Sequence, residues 1–138
     1  MGYRFVDDVA IADVSFQADG KTQEELFESC GKALTNSMVK DLETVQPEKE
    51  IKLSIEAGST EQLLYEFLDD LIFYKDAEQM IFREYDIRIT GNKLEAVLKG
   101  QQIDPKKHEM IVDVKAVSWH MFKVEKKEKW EAFVILDV

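Results

Sequence analysis

Apolar residues recur at two different spacings along this chain, and these spacings predict its secondary structure. Segments 22–42 and 59–76 have apolar residues three and four positions apart, the pattern of amphipathic helices. The predicted apolar faces comprise Leu26, Phe27, Cys30, Ala33, Leu34 and Met38 in the first helix, and Leu63, Leu64, Phe67, Leu68, Leu71 and Ile72 in the second. Strand-like patterns, with alternating or short continuous apolar runs, account for segments 9–18, 51–57, 81–90, 92–100, 110–125 and 130–138.

Both predicted helices also carry a start signal. Thr22 with Glu25, and Ser59 with Gln62, have the spacing of a capping box. The resulting order is strand, helix, strand, helix, and then several strands in hairpin-like succession. This order predicts an α+β fold in which two helices pack on one face of a largely antiparallel β-sheet. Because no linker or low-complexity tract interrupts the chain, we expect residues 1–138 to form a single domain.

Composition and charge narrow the class of protein. The chain of 138 residues is 45% hydrophobic and 33% charged, as expected of a soluble globular domain. No apolar run is long enough to cross a bilayer, and the N-terminus lacks a signal-peptide pattern, so we expect a cytoplasmic protein. The net charge of −10 would repel a phosphate backbone. We therefore expect a basic protein partner or a bound cation, without tight direct binding of nucleic acid.

Most motifs that carry enzyme chemistry are absent from the sequence. The glycines do not form a phosphate-binding loop, and no serine lies in a nucleophile elbow. His108 and His120 do not have the spacing of a zinc site. Cys30, on an apolar helix face, is interpreted as a core residue, and the adjacent Asp69 and Asp70 as a solvated helix face. These local motifs do not indicate an enzyme.

Two carboxylates lie in apolar strand contexts at opposite ends of the chain. Asp13 lies within "VAIADVSF", and Asp137 lies within "FVILDV", directly before Val138 and its terminal carboxylate. An isolated acidic residue in a strand is usually at an exposed edge. If the first and last strands are neighbours, however, three oxygen-bearing groups converge, and such a set suits a hard cation such as Ca²⁺ or Mg²⁺.

The stretch "DPKKHEM" is the other distinctive feature. Pro105 predicts a loop, so we expect Lys106, Lys107 and His108 to be exposed. One interpretation is a solvated basic loop. The other is that a lysine of this otherwise acidic protein meets a phosphate or a partner carboxylate.

At these residues the sequence resembles the archease family over essentially its whole length. The family's "HTAD" motif corresponds to "AIAD" at 10–13, its "SLEEAF" helix start to "TQEELF", and its "LLYxFLEEL" helix to "LLYEFLDDL" at 63–71. Its "DLKKHExxxEVKAITYHDM" stretch corresponds to "DPKKHEMIVDVKAVSWHMF" at 104–122, and its acidic end to "VILDV". Each matching segment is weak evidence alone, but five segments in the same order and with matching spacing make the resemblance specific.

The resemblance implies a protein cofactor of tRNA splicing that is not itself an enzyme. Archeases activate the RNA ligase that joins 3′-phosphate or cyclic-phosphate ends to 5′-hydroxyl ends, by promoting ligase guanylylation and multiple turnover. The family's metal site would fall on Asp13, Asp137 and Val138, with Ca²⁺ favoured over Mg²⁺ or Mn²⁺. The same resemblance assigns partner binding to the "KKHE" stretch: Lys107, then Lys106 and His108. Lys115 is a further match without an assigned role.

The sequence departs from the family pattern at one motif, and three alternative functions remain open. Ala10 and Ile11 stand where the family motif has histidine and threonine, so a contact made by that histidine would be missing here. A metal-dependent hydrolase would use the same carboxylates but would need a base or nucleophile beside them. A chaperone or adaptor for RNA-processing or RNA-modification proteins would need an exposed apolar patch, and a small-molecule-binding domain would need a pocket.

Overall fold

Seven strands and two α-helices make up the part of the chain that the computed structural model describes, residues 2–6 and 13–138. The strands are β1 (Gly2–Val6), β2 (Asp13–Gly20), β3 (Lys49–Glu56), β4 (Met80–Thr90), β5 (Lys93–Gln102), β6 (Ala116–Lys126) and β7 (Trp130–Asp137). The helices are α1 (Gln23–Met38) and α2 (Thr60–Glu78), and a short 3₁₀ helix covers Leu42–Thr44. None of the helices in these ranges is long and apolar enough to span a membrane.

Both helices begin where the sequence predicts. The Thr22 hydroxyl accepts a hydrogen bond from the Glu25 backbone N–H at 3.1 Å, and the Ser59 hydroxyl accepts one from Gln62 N–H at 3.1 Å. The side chains of Glu25 and Gln62 reach back to backbone N–H groups before the helices. Helix α1 ends at Met38, earlier than predicted, because the next residue, Val39, is extended and bridges Met110.

The strands divide into two antiparallel sheets. One sheet has the order β1-β2-β7-β6, and the other has the order β3-β5-β4. Both helices contact strands of both sheets, so one continuous core links all the layers. The predicted α+β class with antiparallel pairing is confirmed, whereas the division into two sheets and the presence of β1 were not predicted.

Two small residues of α1, Cys30 and Gly31, lie in the closely packed interior. Cys30 is fully buried, and burial raises the pKa of its thiol, as expected of an unreactive core cysteine. A Cβ atom at Gly31 would lie 2.7 Å from Cε2 of Tyr85, closer than carbon atoms can approach. Glycine at this helix position therefore lets the buried Tyr85 ring lie against α1.

The segment predicted as one long or bent strand over 110–125 is only partly a strand. Strand β6 begins at Ala116, and residues 111–115 are irregular. The hydrogen bonds that fix this segment include Ile111 N–H to Met38 O, Lys75 Nζ to Val114 O, and Lys115 N–H to Asp137 O. These bonds join it to both helices and to β7. In the predicted strand 9–18, residues 9–12 lie outside the described residues, and the strand from Asp13 onward is confirmed.

Candidate functional site

Strands β2 and β7 bring the two predicted carboxylates together. The strands pair antiparallel over their full length, and Asp13 lies directly opposite Asp137 at the end of the ladder. Residues directly opposite each other in an antiparallel pair point to the same face, with Cβ atoms about 4.5–5.5 Å apart. We call Asp13 and Asp137, together with the adjoining Val138, the carboxylate pole.

The carboxylate pole lies at the surface, and the repulsion between its two aspartate charges is unfavourable for folding when no cation offsets it. Asp13 is exposed, Asp137 is half-buried, and the Val138 side chain packs partly against the core. Like charges directly opposite each other in a sheet destabilise it. Because the core holds the ends of both strands, neither aspartate can move far from the other.

The oxygen donors of the pole suit a hard divalent cation. Among residues 2–6 and 13–138, no three His, Cys, Asp or Glu side chains come together as a metal-holding group. A site at the pole would therefore combine Asp13 and Asp137 with a third protein oxygen, such as the Val138 carboxylate, and with water. Ca²⁺ accepts such mixed oxygen coordination, and Mg²⁺ commonly keeps several waters. Ala10 and Ile11 lie outside the described residues.

The loop prediction for "DPKKHEM" is correct for its lysines. The backbone N–H groups of Lys106 and Lys107 donate to the side chain and carbonyl of Asp104, respectively, which closes a tight turn. Both lysines are exposed, and within the described residues neither ammonium group forms a hydrogen bond or an ion pair. The turn therefore presents two cations to solvent on an otherwise acidic molecule.

The prediction that His108 is exposed is wrong. Its side chain is 1% exposed, and its Nδ1 accepts a hydrogen bond from Asp104 N–H at 2.9 Å. Its Nε2, 2.9 Å from Gln101 Oε1, is then the protonated nitrogen of a neutral ring. Gln101 Oε1 also accepts from Gln46 N–H. The imidazole thus ties the turn to β5 and to the loop before β3, which leaves it unavailable for direct contact with a partner.

A large bulge in β6 is a feature that the sequence pattern did not reveal. Ser118 pairs with Ile135 and Lys123 pairs with Phe133, so β6 has four residues, 119–122, where β7 has only Val134. We call these four residues the aromatic bulge. Trp119 and Met121 are 54% and 55% exposed, whereas Phe122 points into the core. The only signal in the sequence was the interruption of strand alternation at "SWHMF".

Tyr65 of α2 connects the aromatic bulge with the carboxylate pole. Its ring stacks on that of Trp119, with centroids 4.1 Å apart and planes 9° from parallel. Partial burial raises the pKa of the Tyr65 hydroxyl, and the negative charges of Asp69 and Asp137 raise it further. Asp137 of the pole is therefore close enough to Tyr65 to act on its hydroxyl electrostatically, and Tyr65 is in direct contact with the bulge.

Lys75 anchors the segment that leads into β6. Its ammonium group is 2.5 Å from carboxylate oxygens of both Asp76 and Asp113, and 2.7 Å from the Val114 carbonyl oxygen. Desolvation acts to lower the pKa of Lys75, but the hydrogen bonds to Asp113 and Asp76 outweigh it, and the pKa is raised. Lys75 therefore holds residues 113–114 against the C-terminal turn of α2.

Comparison with known proteins gives a consistent result. Residues 3–138 match the archease protein family (MTH1598/TM1083). The chain is 33% identical over 133 residues to protein archease of Pyrococcus abyssi, covering 92% of this chain and 93% of the relative. The solution structure of Methanobacterium thermoautotrophicum protein 1598 is 32% identical, with a TM-score of 0.85 and 99% coverage of both chains. An archease of Thermotoga maritima, described as a possible chaperone, shares the fold, with 18% identity, a TM-score of 0.65, and coverage of 94% of this chain and 93% of that one.

Proposed function

This chain belongs to the archease family, and on that premise we propose that it activates an RNA ligase that joins 3′-phosphate or cyclic-phosphate ends to 5′-hydroxyl ends. In this proposal the protein is a cofactor of the ligase and not an enzyme itself. It promotes transfer of guanylate to the ligase and so permits multiple turnover.

The observation that supports this proposal best is the register of β2 and β7. Asp13 and Asp137 are separated by nearly the whole chain, yet they lie directly opposite each other at one end of a sheet. Two like charges in this position oppose folding unless solvent, a cation or a partner offsets them. The packed core keeps the two carboxylates together despite their repulsion. Such an energetic cost to folding is expected at a functional site.

The proposed mechanism is electrostatic. Asp13, Asp137 and the Val138 carboxylate would hold a divalent cation, with Ca²⁺ favoured and Mg²⁺ or Mn²⁺ as alternatives. Such a cation stabilises negative charge on a transferred phosphoryl group. The protein's own contribution is to fix these carboxylates on paired strands and to present them to a ligase whose active-site entrance is basic enough to hold RNA.

The turn at 104–108 would make a second contact with the partner. Lys106 and Lys107 project from a turn closed by backbone hydrogen bonds, and their charges are unpaired within the described residues. A lysine held at such a turn suits a carboxylate or phosphate group of the partner. We favour Lys107 for this role.

The alternative function is a chaperone or an adaptor for RNA-processing or RNA-modification proteins. Exposed large apolar side chains favour it, notably those of Trp119, Met121, Phe73 and Ile111. The description of the Thermotoga maritima relative as a possible chaperone agrees with this alternative. A chaperone would protect unrelated aggregating clients, whereas a ligase activator would not.

The test is multiple-turnover ligation by the RNA ligase of the same organism, with guanosine triphosphate and divalent metal, and with substoichiometric amounts of this protein. We expect faster turnover with the wild type, and no stimulation by Asp13→Asn or Asp137→Asn. Asp86→Asn is the matched control, because Asp86 is an exposed strand aspartate on the other sheet. Lys107→Ala should weaken stimulation without affecting the fold.

Two results would contradict the proposal. Stimulation retained by both pole variants would remove the carboxylates from the mechanism. No stimulation by the wild type, with a ligase that is demonstrably active, would favour the chaperone or adaptor function instead.

A further inference from the structure

The aromatic bulge exposes two large apolar side chains side by side. Trp119 and Met121 are more than half exposed, and they project from β6, an edge strand of the four-stranded sheet. Trp, Tyr and Met are enriched in the centres of protein interfaces, whereas most large apolar side chains of a domain are buried. A cluster of this kind on an edge strand indicates a binding surface.

The Trp119 ring is held rigidly in this exposed position. One face of the ring stacks on Tyr65, and Phe122 contacts it edge-on at 5.2 Å between centroids. With Tyr65 on one face and half of the residue exposed, the opposite face of the indole is open. A partner that binds this open face does not have to order the side chain first, which lowers the entropic cost of binding.

Two acidic groups lie near the bulge. Asp69 lies one helical turn after Tyr65 on α2, and Asp137 pairs with Ala116, which precedes Trp119 by about 10 Å along β6. The nearest cation on the strand, Lys123, forms an ion pair with Glu125. Because Asp69 and Asp137 both act electrostatically on Tyr65, which stacks on Trp119, they favour a positively charged partner at this surface.

We propose that the aromatic bulge is the docking anchor for a partner protein that presents an arginine or lysine beside an apolar pocket. The cation binds over the open face of Trp119, where the ring quadrupole attracts it, and the apolar pocket receives Met121. Arginine fits best, because its planar guanidinium stacks on indole. RNA is disfavoured, because the same carboxylates repel its phosphates.

This inference rests on the proposed function, because it takes the same RNA ligase as the partner. In this inference, two neighbouring surfaces have separate roles. The aromatic bulge supplies affinity for the ligase, and the carboxylate pole supplies stimulation once the complex has formed. Substitutions in the two surfaces should therefore change different parameters of the same titration.

The experiment titrates this protein into the ligation reaction and fits the half-maximal concentration and the plateau separately. The Kd for the ligase is measured in parallel by calorimetry. We expect Trp119→Ala to raise both the half-maximal concentration and Kd by at least about tenfold, as for an interface hot spot, and to leave the plateau unchanged. Phe5→Ala is the control, because Phe5 is an exposed aromatic on β1, three strands or about 14 Å away in the same sheet.

Met121→Gly is the second variant, and it separates docking from folding. Met121 has a φ of 57°, in the left-handed region that glycine adopts without strain. The substitution therefore removes the exposed side chain while preserving the backbone of the bulge. We expect it to weaken ligase binding by about threefold or more, with the melting temperature unchanged or raised.

The outcomes distinguish the two proposals. If Trp119→Ala and Met121→Gly both bind the ligase as tightly as Phe5→Ala, the docking proposal is wrong, even if the wild type stimulates ligation. If the wild type binds through Trp119 but does not stimulate, the docking proposal stands and the proposed function falls. If the wild type neither binds nor stimulates, both fall. Tryptophan fluorescence quenching by single-stranded RNA alone that is lost in Trp119→Ala, which retains Trp130, would replace the protein partner with RNA.

Discussion

His108 shows how a single residue in a suggestive motif can have a structural role. Its neutral ring accepts a hydrogen bond from the Asp104 backbone and donates one to Gln101, both within the protein. The adjacent Lys107 makes no comparable side-chain contact within the described residues. Pro105 correctly indicated a turn, but sequence alone could not say which side chains the turn directs inward, because that depends on the neighbouring loop before β3.

Replacement of His108 should therefore affect stability more than activity. We expect His108→Ala to lower the free energy of unfolding by about 2–3 kcal/mol, because it leaves a cavity and removes two buried hydrogen bonds. Lys107→Ala, as the matched control, should change it by less than about 0.5 kcal/mol. Urea unfolding measures both. If the His108→Ala protein has unchanged stability but fails to bind the ligase, His108 belongs to the partner-binding site after all.

At the scale of secondary structure elements, the helices were predictable and the partners of the strands were not. The helical period and the caps at Thr22 and Ser59 are local signals, and the structure confirms them. Strand patterns identify a strand but not its neighbour, so the two sheets could not be distinguished from one. The bulge at 119–122 was hidden because "SWHMF" contains no glycine or proline to mark a break.

The irregular segment before β6 should depend on one helical residue. Lys75 is 5% exposed and binds Asp113 and the Val114 carbonyl, so Lys75→Met leaves that carbonyl unpaired. We expect a loss of about 1–3 kcal/mol in the free energy of unfolding and faster amide exchange in residues 111–115. Lys32→Met is the control, because its ion pair with Glu28 is more exposed and worth about 0.3–0.5 kcal/mol.

The stabilisation that Lys75 provides through Asp113 and Val114 should depend on pH in a definite direction. The pKa of Lys75 is raised in the folded protein, so its charged form, paired with charged carboxylates, stabilises the fold from neutral pH up to its ordinary pKa. This stabilisation is lost as the pH rises through the raised pKa, on the alkaline side. The stability difference between the wild type and Lys75→Met should therefore persist at neutral pH and shrink in alkaline solution. A difference that shrinks near neutral pH would contradict this assignment.

At the scale of the whole molecule, the carboxylate pole depends on where the two ends of the chain meet. The sequence marked Asp13 and Asp137 as acidic residues in apolar strands, which was a usable signal. The sequence could not show that the two residues converge, because no local pattern indicates that β7 lies between β2 and β6. The packing of α1 and α2 against both sheets fixes that topology, so the site is a property of the complete core.

If the carboxylate pole holds a cation, the cation should stabilise the folded protein by mass action, because the unfolded chain separates Asp13 from Asp137. At a Ca²⁺ concentration of about 100 times Kd, the gain is about 2.7 kcal/mol, visible as a higher melting temperature. Asp13→Asn and Asp137→Asn should abolish the shift and, without Ca²⁺, be as stable as the wild type or slightly more so, because one repelling charge is gone. Asp86→Asn should keep the full shift.

The contribution of Val138 to cation binding can be isolated by extending the chain with glycines. This change moves the terminal carboxylate but keeps the packed valine side chain. We expect calorimetry to show weaker Ca²⁺ binding by the extended chain. An undiminished affinity would exclude the carboxylate of Val138 from the site, and a Ca²⁺ shift that survives in both aspartate variants would place the cation elsewhere. Because these measurements use the protein alone, they test the cation site independently of any ligase.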